Sequence, residues 1–312
     1  MFGHHGAVVW LGFTALVVAL LVVDLGVLNR RSHVLSFKEA MTWSGGVIGM
    51  AGLFGLFILW REGGQAALEY YTGYLIEFSL SVDNLFVFIL IFSYFGVPAA
   101  AQPKVLNWGI LGAIVMRFFM IALGAILLQR FEWIIYVFGG ILVITGVRMM
   151  LQKDTHLELD KNPVVRLARR VLPFSDCYDG TRFLTRTVRG KVLATPLLLV
   201  LLVIEWSDLV FAIDSIPAIF SVTRDPFLVY SSNVFAIVGL RALFFVLAGM
   251  MDRFVYLKPG VALILIFVGT KMTLSHWVHF PITVSLAVIV LILSGAVVLS
   301  LRRTTREEGM PA

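Results

Sequence analysis

The chain has 312 residues, of which 59% are hydrophobic and only 14% charged, with a formal net charge of +6 and a mean hydropathy of +0.93. Soluble domains average about 45–50% apolar and about 25% charged residues, so the composition argues against a soluble globular fold. It argues equally against a disordered chain, and the single cysteine argues against a disulfide scaffold.

Met1 to Gly6 carry no basic n-region and no clear cleavage site, so the chain reads as opening on a retained span rather than a signal peptide. Apolar runs of bilayer length then predict nine spans, at 7–28, 40–60, 70–95, 106–128, 133–151, 194–221, 228–250, 259–275 and 282–301. Breakers separate them, among them Gly63-Gly64, Pro98, Pro103, Asp225-Pro226, Pro259-Gly260 and Pro281. The expected fold is an all-α polytopic membrane protein. Its parts are two N-terminal helices (1–64), a three-helix unit (65–151), a basic loop (152–193), a second three-helix unit (194–275) and a last helix with a basic tail (276–312).

Loops assigned alternately to the two sides hold 18 and 3 of the 25 Lys and Arg, and the other four fall inside spans. By the positive-inside rule the N-terminus is expected outside and the C-terminus in the cytoplasm of a bacterial-type inner membrane. The basic excess is thus topological, and nucleic acid is not an expected partner; the bilayer is. The loop 152–193 reads as a solvated linker with an amphipathic stretch at Val164–Leu172, and Cys177 as a reduced thiol.

Across this loop the chain repeats itself. Asp83, Arg117 and Arg148 recur as Asp208, Arg241 and Lys271, at offsets of 125, 124 and 123. Gly146-Val147-Arg148-Met149 recurs as Gly269-Thr270-Lys271-Met272. With three spans per unit, the second unit enters the membrane from the opposite side. This predicts an inverted repeat, whose substrate site lies near the midplane.

Charges inside spans are costly, by at least ~2.5–3.5 kcal/mol each on translocon scales, and mark function. The third span carries Glu77, Asp83 and Asn84; the sixth carries Glu205, Asp208 and Asp214. Asp83 and Asp208 fall near mid-span, and Glu77 and Asp214 lie about 9 Å further out. On an ideal helix Glu77 and Asp83 do not share a face, whereas Glu205 and Asp208 do. Arg117 and Arg241, also near mid-span, are expected to neutralise Asp83 and Asp208, leaving an acidic excess. Carboxylates, the Asn84 amide and the hydroxyls of Ser79, Ser81, Ser207 and Ser215 form a hard oxygen set with no Cys or His beside it, which suits Mg²⁺, Ca²⁺ or Mn²⁺. His4, His5, His276 and His279 read as scattered interfacial residues, and Asp24 as an inner gate residue or an interfacial acid. No Walker A string is present, so ATP is not the expected drive. Two mid-membrane Asp also fit an aspartyl protease dyad, but the Gly-x-Gly-Asp string of that class is absent and an enzyme is not expected.

Several strings carry a resemblance: Gly73-Tyr74-Leu75-Ile76-Glu77, Ser81-Val82-Asp83-Asn84, Gly112-Ala113-Ile114-Val115-Met116-Arg117, Ala194-Thr195-Pro196-Leu197, Glu205-Trp206-Ser207-Asp208, Phe211 through Phe220, and Gly239-Leu240-Arg241. In these the chain resembles the TerC family of integral membrane proteins, in particular its Alx-like branch, over nearly its whole length. The resemblance implies a multi-pass inner-membrane protein linked to export of divalent metal, chiefly Mn²⁺, and to tellurite resistance. It places Glu77, Asp83, Asn84, Glu205, Asp208 and Asp214 at the family's acidic motif positions. The expected activity is Mn²⁺ export by alternating access, with proton coupling compatible, no permanently bound cofactor, and a homo-oligomer compatible. Arg117 and Arg241 are expected to hold the acids. The alternative is a scaffold or a pH-, redox- or tellurite-stress protein that acts through partners, with the loop 152–193 as contact element.

Overall fold

The computed structural model describes residues 6–27, 37–131, 133–151, 163–186, 191–248, 256–274 and 281–308; the side chains of Asp24, Asp83 and Arg241 lie outside the described residues. The described chain is mostly helical: α1 (Ala7–Val27), α2 (Phe37–Glu62), α3 (Gly64–Tyr94), α4 (Gln102–Arg130), α5 (Ile134–Leu151), α6 (Pro163–Val171), α7 (Pro196–Phe220), α8 (Pro226–Val238), α9 (Leu240–Ala248), α10 (Leu257–Leu274) and α11 (Ile282–Glu308). Two short strands, β1 (Leu184–Arg186) and β2 (Val192–Ala194), pair antiparallel with Thr185 opposite Leu193.

A helix covers each interval predicted as a span. Among the described residues six of them (α2, α3, α4, α5, α7 and α11) are long and apolar enough to cross a membrane, and α8 with α9 makes a seventh when taken as one span. The apolar stretches of α1 and α10, Ala7–Val23 and Pro259–Leu274, are shorter. Leu11, Leu53, Trp60, Phe119, Ile144 and Leu291 are exposed large hydrophobics on these helices, as a lipid-facing surface requires.

Two departures from the expected spans have local causes. The outer loop expected between 60 and 70 contracts to Gly63, whose φ of 94° only glycine adopts without strain, so α2 turns straight into α3. The span expected as one helix over 228–250 breaks at Gly239, where α8 and α9 meet at 50°. Glycine has no side chain to stabilise the helical backbone and is a common kink site.

The loop read as a solvated linker is instead folded from Pro163 to Arg186 and from Lys191 to Thr195. The α6 helix packs along α7, burying Val165 and Ala168 and exposing Arg166, Arg169 and Arg170. The chain then returns through a bridge between Phe174 and Ala194. Thr195 donates its hydroxyl to the Arg182 carbonyl at 2.7 Å, and Tyr178 donates its phenol to the Phe95 carbonyl at the end of α3, also at 2.7 Å. Partial burial raises the Tyr178 phenol above its ordinary pKa, so the neutral donor is the favoured folded form. Its contribution is complete below the ordinary phenol range and is lost as pH climbs through the raised value. Tyr178→Phe is expected to loosen the segment by about 1 kcal/mol, read as faster tryptic cleavage at Arg182 at pH 8. Ultraviolet titration of the variant is expected to lack one late-ionising tyrosine.

The interior forms two main apolar clusters. One gathers residues such as Leu85, Ala113, Ile114, Val203, Ile204 and Phe235. The other gathers Ile76, Leu80, Ile121, Ala212, Ile216 and Leu265. Along α4 the clusters meet between Ile114 and Ile121, and along α7 between Ile204 and Ala212. Arg117 and Asp208 stand in those two gaps.

The crossing of α5 with α10 runs on glycine. A Cβ on Gly269 would lie 2.7 Å from the Gly139 carbonyl oxygen, and one on Gly146 would lie 2.8 Å from the Ala262 carbonyl oxygen. Backbones approach this closely only where side chains are missing, which is how helices associate where the hydrophobic effect offers no drive.

Candidate ion-handling site

Glu77, Ser81 and Asn84 lie on one face of α3, at spacings of four and three, and all are buried. Asp208 and Ser215, two turns apart, do the same on α7. Between them, from the middle of α4, comes Arg117, whose side chain is 0% exposed.

The Arg117 guanidinium forks onto Asp208, Nε to Oδ2 at 3.2 Å and Nη2 to Oδ1 at 2.9 Å. Its Nη1 donates to Glu77 Oε1 and, at 3.3 Å, to Ser215 Oγ. The Ser81 hydroxyl donates to the same Glu77 oxygen at 3.3 Å. One cation therefore faces two carboxylates, and Glu77 Oε2 is buried without a hydrogen-bond partner. The Asn84 amide nitrogen is likewise buried and unpartnered. Such groups cost free energy unless something meets them.

Glu205 and Asp214 make no hydrogen bond with this fork. Glu205 is half-buried with its carboxylate lying over Gly112 of α4, in space that a Cβ there would fill. Asp214 is half-buried and accepts the Thr145 hydroxyl of α5 at 3.0 Å. Asp83 and Asp24 have backbones on α3 and α1, and Arg241 on α9, but their side chains lie outside the described residues. Among the described residues no group of three or more His, Cys, Asp or Glu is assembled to hold a metal ion.

Arg117 thus takes Asp208, one of the two acids expected for the pair of arginines, and Glu77 beside it, because α3 turns its Glu77–Ser81–Asn84 face toward it. Thr145 and Gly112 had no sequence signal as supports. Asn233, fully buried on α8 with neither amide atom partnered, did have one: the polar run Ser231-Ser232-Asn233 inside an apolar span.

On one side Asp208 lines a cavity of about 10 Å³, room for about one water, otherwise walled by apolar residues and Gly109, including Phe88, Leu106, Ile204 and Ile237. Three glycines of α4 face α7. Gly109 meets Ile204, Gly112 meets Glu205, and Gly124 meets the Phe220 ring.

Residues 62–308 match the model of the integral membrane protein TerC family. The chain belongs to the TerC family. A membrane protein of Myxococcus xanthus is 51% identical over 292 residues, covering 94% of this chain and 91% of that protein. A relative from Escherichia coli K12, named Alx with the provisional description membrane-bound redox modulator, is 47% identical over 289 residues, 90% of each chain. A membrane protein of Rickettsia felis is 40% identical over 294 residues, covering 94% of this chain and 97% of that one. No solved structure matches. A multi-pass integral membrane protein is thus the common ground of this TerC chain and its relatives.

Proposed function

We propose that this TerC protein is a secondary transporter that exports a divalent cation, Mn²⁺ foremost, from the cytoplasm by alternating access of two inverted three-helix units. The observation that carries the reading is the fully buried Glu77–Arg117–Asp208 fork, an acidic excess inside apolar spans, where ionised groups mark ion pathways. Hard oxygen donors and the absence of Cys and His beside them favour Mn²⁺, Mg²⁺ or Ca²⁺ over softer ions.

The pattern of helix contacts supports the repeat. The first unit is α3, α4, α5 and the second α7, α8–α9, α10, so contacts of α3 with α8 and of α4 with α7 are counterparts, as are α5 with α7 and α10 with α3; all four occur. At an offset of 123, Gly139 corresponds to Ala262 and Gly146 to Gly269. The contacts are Gly139 with Gly269 and Gly146 with Ala262, the exchange a two-fold axis produces. In this reading Asp83, Asn84, Glu205 and Asp214 join Glu77 and Asp208 along the ion's route. Asp83 with Arg241 is then the counterpart of Asp208 with Arg117. The N-terminus lies outside, the C-terminus in the cytoplasm, and protons are the candidate coupling ion.

The relatives' redox description favours a second reading, a stress protein acting through partners. Here the exposed Cys177 on the folded segment is the relevant group, and as the only cysteine of the chain it would need a thiol from another molecule to form a disulfide.

Everted membrane vesicles test the first reading. Wild-type vesicles are expected to accumulate Mn²⁺, and Asp208→Asn to reduce the rate at least tenfold at equal protein level. Equal rates in the two, or none in the wild type, would sink it.

A further inference from the structure

We propose that Arg117 is the ion-free occupant of the cation site: its guanidinium holds the place between Glu77 and Asp208 that the transported ion takes, and leaves when the ion enters. The inference rests on the transport reading and adds what the site holds when no ion is present.

Charge arithmetic motivates it. Two carboxyl groups meet one guanidinium, so with both ionised the fork carries one unbalanced negative charge deep in the protein. A purely structural pair in such a place would gain by being one to one, because every buried ion bears a desolvation penalty. A divalent cation in place of Arg117 would bring the two carboxylates to neutrality.

The donor set fits the same exchange. Glu77 and Asp208 supply four carboxylate oxygens, and Ser81 and Ser215 a hydroxyl each; this is the kind of all-oxygen set that Mn²⁺, Mg²⁺ and Ca²⁺ take. Arg117 engages both Asp208 oxygens, one Glu77 oxygen and the Ser215 hydroxyl, so ion and guanidinium compete for the same atoms. Glu77 Oε2, buried and without a partner, is the oxygen that Arg117 leaves over.

Helix sliding offers Arg117 a route of departure. Gly109, Gly112 and Gly124 bring α4 close against Ile204, Glu205 and Phe220 of α7. Small sliding of packed helices is an established mode of conformational change. Sliding α4 along α7 carries Arg117 relative to Asp208 and Ser215.

An internal competitor lowers apparent ion affinity by the fraction of molecules it blocks, and it allows the empty transporter to return. The test uses the purified full-length protein in detergent and in proteoliposomes, with Mn²⁺ as probe. Arg117→Gln is expected to bind Mn²⁺ at least tenfold more tightly than the wild type. In vesicles it is expected to keep Mn²⁺-for-Mn²⁺ exchange while net Mn²⁺ movement falls at least tenfold. Arg117→Lys keeps the charge but loses the planar fork, and is expected to bind Mn²⁺ threefold or more tightly. If the Gln variant does not fold, the Lys variant decides alone. Unchanged or weaker Mn²⁺ binding in the folded Lys variant overturns the proposal, as does loss of exchange together with net movement in a folded Gln variant. A wild type that exchanges Mn²⁺ under either of those outcomes leaves the transport reading standing. A wild type that neither binds nor exchanges Mn²⁺, Mg²⁺ or Ca²⁺ removes both.

Discussion

Arg117→Met is expected to cost the ion-free protein about 3–5 kcal/mol, the range for removing one partner of a buried ion pair. The substitution keeps much of the side chain's bulk but leaves Glu77 and Asp208 buried, charged and facing each other without their cation. The loss should read as a large drop in melting temperature and in monodisperse yield. Adding Glu77→Gln and Asp208→Asn to the same chain is expected to recover most of it, because replacing all members of a buried ionic group removes the uncompensated charge. Glu77→Gln alone, which leaves a balanced Arg117–Asp208 pair, is expected to cost far less than Arg117→Met. A structure held chiefly by the length of Arg117 would show the opposite order, with the triple variant no better than the single one.

Gly269→Val is expected to be the second severe substitution. Even its Cβ would sit 2.7 Å from the Gly139 carbonyl oxygen and 2.8 Å from the Leu142 Cβ, so the two helices must part. Backbone cannot swing aside as a flexible side chain can, and overpacking of this kind typically costs about 1–3 kcal/mol and occasionally more. Gly146→Val, which drives a Cβ to 2.8 Å from the Ala262 carbonyl oxygen, should behave alike. Gly140→Ala serves as the contrast: its Cβ would meet nothing within 4 Å, and the better helix former should leave stability equal or slightly raised. Melting curves of the three variants in one detergent check the ranking. If Gly269→Val melts with Gly140→Ala, the α5–α10 crossing does not hold the two helices together.

Much of this was open to reading from residues alone, because apolar run length is a one-dimensional property. Helices fall on every predicted interval, and the run Val164–Leu172 forms α6 in register with its Val165 and Ala168 face. What escaped depends on pairs far apart in the chain. The Glu77–Ser81–Asn84 face is written in the sequence, yet nothing local tells that α3 turns it toward Arg117 of α4. The break at Gly239 sits inside the run read as one span over 228–250, where a glycine reads as tolerated. The folding of the segment before α7 turns on Tyr178 reaching Phe95, 83 residues away, and no local pattern announces such a bond. Gly63 was recognised as a breaker, but not that it alone would make the turn.

That same segment joins the far end of α3 to the first turn of α7. Tyr178 fastens it to Phe95, Thr195 fastens it to Arg182, and Pro196 already belongs to α7. Helices α3 and α7 are therefore leashed to each other at one end. If those ends separate, either the Tyr178 bond breaks or the pairing of β1 with β2 gives way. Any separation of α3 from α7 at that end is metered by a tether short enough to count in single hydrogen bonds.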